Sequence, residues 1–201
     1  MKRFKVKNLN VLYTEKNDNV EQILQSIPVE KIIFPHQTHS CNIKNITEDL
    51  ENCDGIYTSD KNIAIGIKTA DCGAIVLTDF EKVMVVHAGW RGLLGGILDK
   101  AVNLFNKKVD FAFLSPFARS CCYEVKEDFI KNLKPEEKIY LKSKNGKYFF
   151  SMEDFIMDKL EPNVEEIKDS KLCTICNTNL YSYRCGDLKD RMLTIAWLDK
   201  E

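Results

Sequence analysis

The sequence predicts an α+β fold with a mixed sheet, built as one domain over residues 1–201. Three observations carry that expectation. The length of 201 residues suits one compact domain, and 44% hydrophobic residues can fill its core. Strand and helix patterns follow one another without the regular βαβ beat of a doubly wound sheet. The clearest stretch, residues 63–87, reads as three strands in succession with no helix between them.

Along the chain, Val20, Ile23, Leu24 and Ile27 fall at helical spacing, and Pro28 stops that helix. Lys31 to Pro35 reads as a strand entering His36-Gln37-Thr38-His39, and Asn42 to Ile46 as another. Asp54-Gly55 signals a turn. Ile63 to Ile67 is a strand running into Thr69-Ala70-Asp71-Cys72. Ala74 to Leu77 follows, then a turn over Asp79–Lys82, then Val83 to Val86 ending at His87. After Ala88-Gly89-Trp90-Arg91-Gly92 the pattern predicts one apolar helix from about Leu93 to Phe105. Val109 to Leu114 is a buried strand, Glu127 to Leu133 and Met152 to Leu160 are helices, and Leu193 to Leu198 is a closing strand.

Composition narrows the function. Twenty-nine basic residues oppose thirty acidic ones, with no block of like charge, so neither a nucleic-acid nor an anionic-membrane partner is implied. The basic N-terminus is followed by no long apolar run, and no stretch approaches the roughly 18 apolar residues of a membrane span. A cytoplasmic protein is expected. Its eight cysteines are therefore expected to be reduced thiols, with Cys41, Cys53, Cys121 and Cys122 packed as small buried hydrophobes.

The chain has only three histidines, so their positions matter. His39 follows one strand, Cys72 follows another, and His87 ends a third. Ligands at the ends of neighbouring strands converge at one sheet edge. Imidazole and thiolate together suit zinc, and three protein ligands leave the fourth position open, as catalytic sites do. On this ground one mononuclear zinc site at His39, Cys72 and His87 is a candidate, beside the plain reading in which each histidine is a satisfied core residue and the cysteine packs. Cys72 and His87 also permit a second reading, a metal-free thiolate–imidazole nucleophile. Gly89-Trp90-Arg91-Gly92 opens a helix, where backbone amides and the Arg91 fork suit an anion. Asp71, beside Cys72, is a candidate partner for a ligand histidine, an acid/base, or a strand-end cap. His36 and Gln37 are candidates for substrate contact. Cys173-Thr174-Ile175-Cys176 lacks a second C-x-x-C, so a packing role is expected rather than a zinc ribbon.

Several chemistries lose their signature here. The zinc nucleobase deaminase pattern H-x-E with P-C-x-x-C is absent, since Ala88-Gly89 follows His87 and Leu172 precedes Cys173. Three histidines cannot furnish the several imidazole-rich centres of a multicopper oxidase. There is no Walker loop, G-x-S-x-G elbow or Rossmann fingerprint.

An ordered set of motifs covers residue 31 to the C-terminus. It comprises His36-Gln37-Thr38-His39-Ser40, Asp54-Gly55, Thr69-Ala70-Asp71-Cys72, His87-Ala88-Gly89-Trp90-Arg91-Gly92, Cys121-Cys122-Tyr123-Glu124-Val125, Leu172-Cys173-Thr174 and Tyr181-Ser182-Tyr183-Arg184. Together these resemble the laccase-domain, or polyphenol oxidase-like, family of YfiH type, now regarded as purine nucleoside phosphorylases. The resemblance implies zinc at the matching His39, Cys72 and His87. It implies phosphorolysis of adenosine, inosine, guanosine and methylthioadenosine, and deamination of adenosine, with a purine nucleoside and phosphate as partners. The family's older label implies copper and phenol oxidation. The implied fold is a mixed α/β sandwich similar to that of a toxin deamidase with a Cys–His pair, which keeps the cysteine-hydrolase reading open, beside that of a non-catalytic binding domain. Departures are a short N-terminal part without the family's arginine segment, Cys185 where a second arginine is usual, and Ser115-Pro116 in place of glycine-proline.

Overall fold

The structure is a computed structural model that describes residues 1–200. In chain order the strands are β1 (Lys2–Val6), β2 (Leu9–Tyr13), β3 (Lys31–Ile33), β4 (Ile43–Asn45), β5 (Gly55–Thr58), β6 (Ile63–Thr69) and β7 (Gly73–Thr78). Then come β8 (Val83–Ala88), β9 (Val109–Leu114), β10 (Glu124–Val125), β11 (Leu141–Lys144), β12 (Lys147–Phe150), β13 (Val164–Asp169) and β14 (Met192–Leu198). The helices are α1 (Val20–Ser26), α2 (Trp90–Leu94), α3 (Ile97–Asn103), α4 (Glu127–Ile130) and α5 (Met152–Leu160).

Two large sheets carry the fold. One has the order β1-β2-β14-β6-β3 and the other β13-β9-β7-β8-β5-β4; a small sheet runs β10-β12-β11. Both large sheets are mixed, because β3/β6, β4/β5 and β9/β13 pair in parallel while their other pairs are antiparallel. The central strands β7 and β8 are buried at every position, as a strand covered on both faces must be. Side chains alternate along a strand, so each feeds two cores. Ala74, Val76, Val83 and Val85 meet Val11, Ile65, Ile67 and Ala196 of the other sheet. Ile75, Leu77, Met84 and Val86 pack beneath α2, α3 and α5 through Leu93, Ile97, Leu98, Phe155 and Ile156. On the far side, Ile23 and Ile27 at α1 cover Leu12, Ala64, Ile195 and Trp197. The layers are helix, sheet, sheet, helices.

The expected α+β class with mixed sheets holds, with several local corrections. The apolar helix of residues 93–105 is two helices, α2 and α3, parted at Gly95-Gly96. Gly96 adopts φ +81°, a left-handed conformation that cannot continue a helix. A side chain at Gly95 would meet the Cys41 sulfur at 2.4 Å. Gly55 opens strand β5 rather than closing a turn, and α4 is shorter than the helix expected over 127–133. The β1–β2 hairpin, β10 to β12 and β13 were not legible. Strands β1, β11 and β13 expose much of their length, so their alternation is blurred by charge. No helix is long and apolar enough to cross a membrane among the described residues.

The register of β7 against β8 builds the site. Gly73 pairs with Ala88 and Ala74 with His87. Cys72, one residue before β7, is thereby brought to Gly89, one residue after β8. β5 lies on the other side of β8 with Gly55 opposite Val86, which brings Asp54 beside His87.

Phe113 binds the two sheets together. It is 2% exposed and contacts the rings of Phe4 at 4.8 Å and Tyr13 at 6.1 Å. Phe113→Ala should lower stability by about 3–5 kcal/mol in urea unfolding followed by tryptophan fluorescence. A loss below about 1 kcal/mol would show that the inter-sheet core repacks around the gap.

Candidate metal centre

Asp54 is fully buried and organises this region. Its Oδ1 accepts the main-chain N–H of His39 at 3.0 Å. Its Oδ2 accepts the main-chain N–H groups of Thr38 at 3.1 Å and Ser40 at 2.6 Å, and the Ser40 hydroxyl at 2.7 Å. His87 Nδ1 donates to Oδ1 at 2.6 Å, and the His87 main-chain N–H donates to the Asp54 carbonyl at 2.6 Å. One carboxylate thus folds the 38–40 loop and holds the His87 ring. With Nδ1 turned to Asp54, Nε2 is the free nitrogen of His87, as in carboxylate–histidine–metal arrangements.

His39 takes φ +61° and Asp71 φ +82°, left-handed conformations that are uncommon away from glycine. Such conformations cost of order 1–3 kcal/mol each and cluster at functional sites. Here each lies in a loop held by a buried carboxylate. Asp71 Oδ1 accepts the Thr174 hydroxyl at 2.6 Å, and Oδ2 accepts the Arg184 main-chain N–H at 2.8 Å. The Asp71 carbonyl accepts the Ala118 N–H at 2.8 Å.

The three expected donors converge. One ligand atom from each of His39, Cys72 and His87 lies within 4.8 Å of the other two. Cys72 Sγ is 4.0 Å from His39 Nε2, and the two imidazole rings stand edge to face with centroids 4.7 Å apart. Zinc bonds of ~2.0–2.3 Å give a nitrogen–sulfur edge of about 3.6 Å in a tetrahedron. The Cys72–His39 pair is a few tenths of an ångström from that spacing, and the group is one that could hold a metal ion. Gly89 leaves the space: a Cβ there would lie 2.9 Å from Cys72 Sγ, 3.3 Å from His39 Cδ2 and 3.7 Å from His87 Nε2.

The electrostatics match. Burial alone would push the Asp54 carboxyl up, but hydrogen bonds from His87, Ser40 and Thr38 hold it well below the usual carboxylate range. Burial alone would also raise the Cys72 thiol, yet His39 and His87 bring it down to about 6. Burial opposes charge on His87, and Asp54 and Cys72 outweigh it, raising the imidazole to about 9. Burial and the neighbouring Cys72 push the Tyr123 phenol up to about 12, so it stays a hydrogen-bond donor.

The remaining expected residues have other partners. Arg91 is exposed, with its guanidinium 4.3 Å above the Trp90 ring, two residues from Gly89. His36 is exposed and paired with Glu51. Gln37 bridges Lys68 with both ends of its amide, donating to the carbonyl and accepting from the N–H at 2.9 Å each. The structure adds residues that spacing alone did not single out as site residues. In the sequence Asp54-Gly55 signals only a turn. Arg184 lies 4.8 Å over the Tyr123 ring and donates to the Glu124 carbonyl at 2.8 Å. Tyr123 and Arg184 carried no signal beyond their place in the ordered motifs.

The cysteines also depart from expectation. All eight are free thiols, and Cys53 is buried. Cys121 is exposed and Cys122 half-buried, and both lie with Cys173 and Cys176 in a second group of sulfurs. The turn after Ala118 and the C-x-x-C turn meet through a bridge between Phe117 and Cys173, a pairing invisible in either segment alone.

Comparison with known proteins gives a consistent picture. A family model described as multi-copper polyphenol oxidoreductase laccase matches residues 7–199. A purine nucleoside phosphorylase of Aquifex aeolicus is 39% identical over 172 residues, 82% of each chain. An adenosine deaminase of an unknown prokaryotic organism, RL5, is 33% identical over 127 residues, 54% of this chain and 48% of that one. The fold is that of a Neisseria meningitidis protein of the DUF152 family, with TM-score 0.85, 22% identity, and 96% and 95% of the two chains covered.

In metal-free protein, Cys72 should alkylate with a midpoint near pH 6, because the thiolate is the reactive form and His87 is still charged there. Asp54→Asn removes the partner that keeps His87 charged. It should move that midpoint upward and weaken metal binding by about 10–100-fold. Peptide mapping after iodoacetamide, and a competition titration with a chelator, measure both. An unmoved midpoint would mean that Asp54 does not set the charge of the pair.

Proposed function

The chain belongs to the multi-copper polyphenol oxidoreductase laccase family, and from that membership we propose that it is a zinc-dependent purine nucleoside phosphorylase with adenosine deaminase activity. The observation that supports this most directly is a phosphorylase relative along most of both chains, coinciding with an open three-donor site of catalytic type. The family description names copper, but the chain's own donors favour another metal chemistry. His36 is paired with Glu51 at the surface, and the only other donor group among the described residues is made of four cysteines. No cluster of imidazoles is left to build further copper centres.

Phosphorolysis forms a bond between a phosphate oxygen and C1′ of the ribose and breaks the bond from C1′ to the base nitrogen. The bonding pair leaves with the base. The protein must hold an anion beside C1′ and stabilise charge on the departing purine. Arg91 and Arg184 offer guanidinium forks for phosphate. Arg184 uses one nitrogen on the Glu124 carbonyl, which orients the rest of the fork. Tyr123, kept protonated, supplies a neutral donor beside Cys72. Zinc at His39, Cys72 and His87 would supply Lewis acidity. Asp54 holds the His87 tautomer that such binding needs, and Asp71, anchored by Thr174 and Arg184, sets the Cys72 loop and is the residue proposed for a proton-shuttling role. His36 and Gln37 are engaged with Glu51 and Lys68, so a substrate role for either requires exchange of those partners. With a nucleoside and phosphate as reactants, the proposed reaction calls for no membrane or nucleic-acid partner, and the setting proposed for it is the cytoplasm.

One observation favours a second reading. The lowered Cys72 thiol and raised His87 imidazole form a thiolate–imidazolium pair, which is the ground state of a cysteine hydrolase. That reading leaves His39 without a task, although it converges on the same point. A dyad would be active after chelation and silenced by alkylation; the proposed enzyme would be inactive after chelation and restored by zinc.

The test is adenosine turnover with and without phosphate, with products separated. Phosphate-dependent release of adenine and ribose 1-phosphate is expected, with a smaller flux to inosine. Cys72→Ala should remove turnover and bound zinc at this site together, by at least about 100-fold in kcat/KM. Arg184→Ala should raise the KM for phosphate more than it lowers kcat. Full activity in Cys72→Ala would refute the site assignment.

A further inference from the structure

We propose that Cys121, Cys122, Cys173 and Cys176 form a second, structural metal site, a closed tetrathiolate for one zinc-class ion. The four sulfurs lie within 4.8 Å of one another. Cys122 and Cys176 are 2.7 Å apart and Cys121 and Cys176 are 3.5 Å apart. A tetrahedral Zn(Cys)4 centre with bonds of ~2.3 Å has sulfur–sulfur edges of about 3.8 Å. Both separations are shorter than that edge, and all four sulfurs fall within an ångström of it at most on the long side. Packing does not explain them. Even carbon atoms rest about 3.5–4.0 Å apart, and sulfur is larger. Cysteines recruited as small hydrophobes are buried, whereas Cys121 and Cys176 are exposed.

Local structure aims all four at one point. The main-chain N–H groups of Cys122 and Tyr123 both donate to the Arg119 carbonyl, at 2.9 and 2.8 Å, and this turn puts two adjacent cysteines on one side. The C-x-x-C segment closes its own turn with the Asn177 N–H on the Cys173 carbonyl at 3.1 Å. The Phe117–Cys173 bridge joins the two turns. The Arg119 N–H points at Cys173 Sγ at 3.5 Å, the amide-to-sulfur contact that supports a charged thiolate ligand. Four thiolates are soft donors that select zinc-class ions, and a full set of four leaves no open position, so the site is structural rather than catalytic.

Its place in the fold gives it a task. Cys122 precedes Tyr123, and Cys173 precedes Thr174, which donates to Asp71. The same loop continues to Arg184, whose main chain also holds Asp71. An ion here ties the β9–β10 connection to the β13–β14 connection, and so fixes the wall of the first metal centre. The site shares no ligand with that centre, and its existence does not depend on the catalytic reading.

Cys72→Ala isolates the second site. Protein stripped of metal, reloaded with zinc and desalted should carry two equivalents in the wild type. It should carry one in Cys72→Ala, one in Cys121→Ser/Cys176→Ser, and none in the triple variant. Cobalt in Cys72→Ala should give the intense visible bands and thiolate charge-transfer absorption of a tetrahedral tetrathiolate. Chelation should lower the Tm of Cys72→Ala but leave that of the triple variant unmoved. Should the double substitution fail to fold, stoichiometry and cobalt spectrum in Cys72→Ala decide alone. Cys72→Ala that holds no metal and titrates four free thiols in this group would overturn the proposal. So would an intact mass showing a disulfide among these cysteines in freshly purified protein.

Discussion

The buried Asp54 carboxylate is the constraint on which the first centre rests. Removing an ionised carboxylate from water is expensive, and it persists only because every side of it is met by a donor. Three successive main-chain amides, a hydroxyl and an imidazole do so here. The arrangement is reciprocal. The carboxylate is tolerated because the 38–40 loop wraps it, and the loop keeps its shape because the carboxylate is there. Losing one partner from such a buried pair costs about 3–5 kcal/mol in general, which makes the group all-or-none.

From that constraint the charge state of the centre follows. Asp54 favours the charged form of His87, and charged His87 favours thiolate at Cys72. Three groups of alternating charge lie in line from the core outward. The outermost part, near His39 and Gly89, is where space is left rather than filled. Glycine at position 89 matters for its missing side chain, since a Cβ there would clash with the Cys72 sulfur and crowd the His39 ring. The strained backbone at His39 and at Asp71 is held in each case by hydrogen bonds to a buried carboxylate. Preorganisation of this kind moves the cost of assembling the centre into folding.

The second sulfur group has a related logic at larger scale. The sheets bring β9 and β13 side by side, but the loops beyond them are long and carry the residues that hold Asp71 and flank Cys72. Loops of that length keep a fixed shape only when something ties them. The Arg119–Asp169 pair joins the same two loops with two hydrogen bonds, one of them at 2.8 Å. The four cysteines lie just beyond that pair. Taken together, the first centre is built by strand register, and its wall is built by loop-to-loop ties.

Much of this was legible in the chain. Residues 63–87 are so regularly apolar that three strands follow from period and length alone, and Cys72 just before the second with His87 near the end of the third puts two donors at one edge. The short, charged edge strands β1, β11 and β13 were not legible, because solvent exposure erases the alternation that marks a strand. The break at Gly95-Gly96 was missed because apolar spacing continues across it while the backbone reverses hand. What the sequence determined by itself was which residue types stand at which strand ends, since that depends on local pattern. What only the tertiary structure decided was which distant residues meet: Asp54 with His87, Thr174 with Asp71, and the Cys121-Cys122 pair with Cys173 and Cys176. Those meetings depend on sheet register and loop path, which are set by the whole core at once and leave no mark in any short stretch of chain.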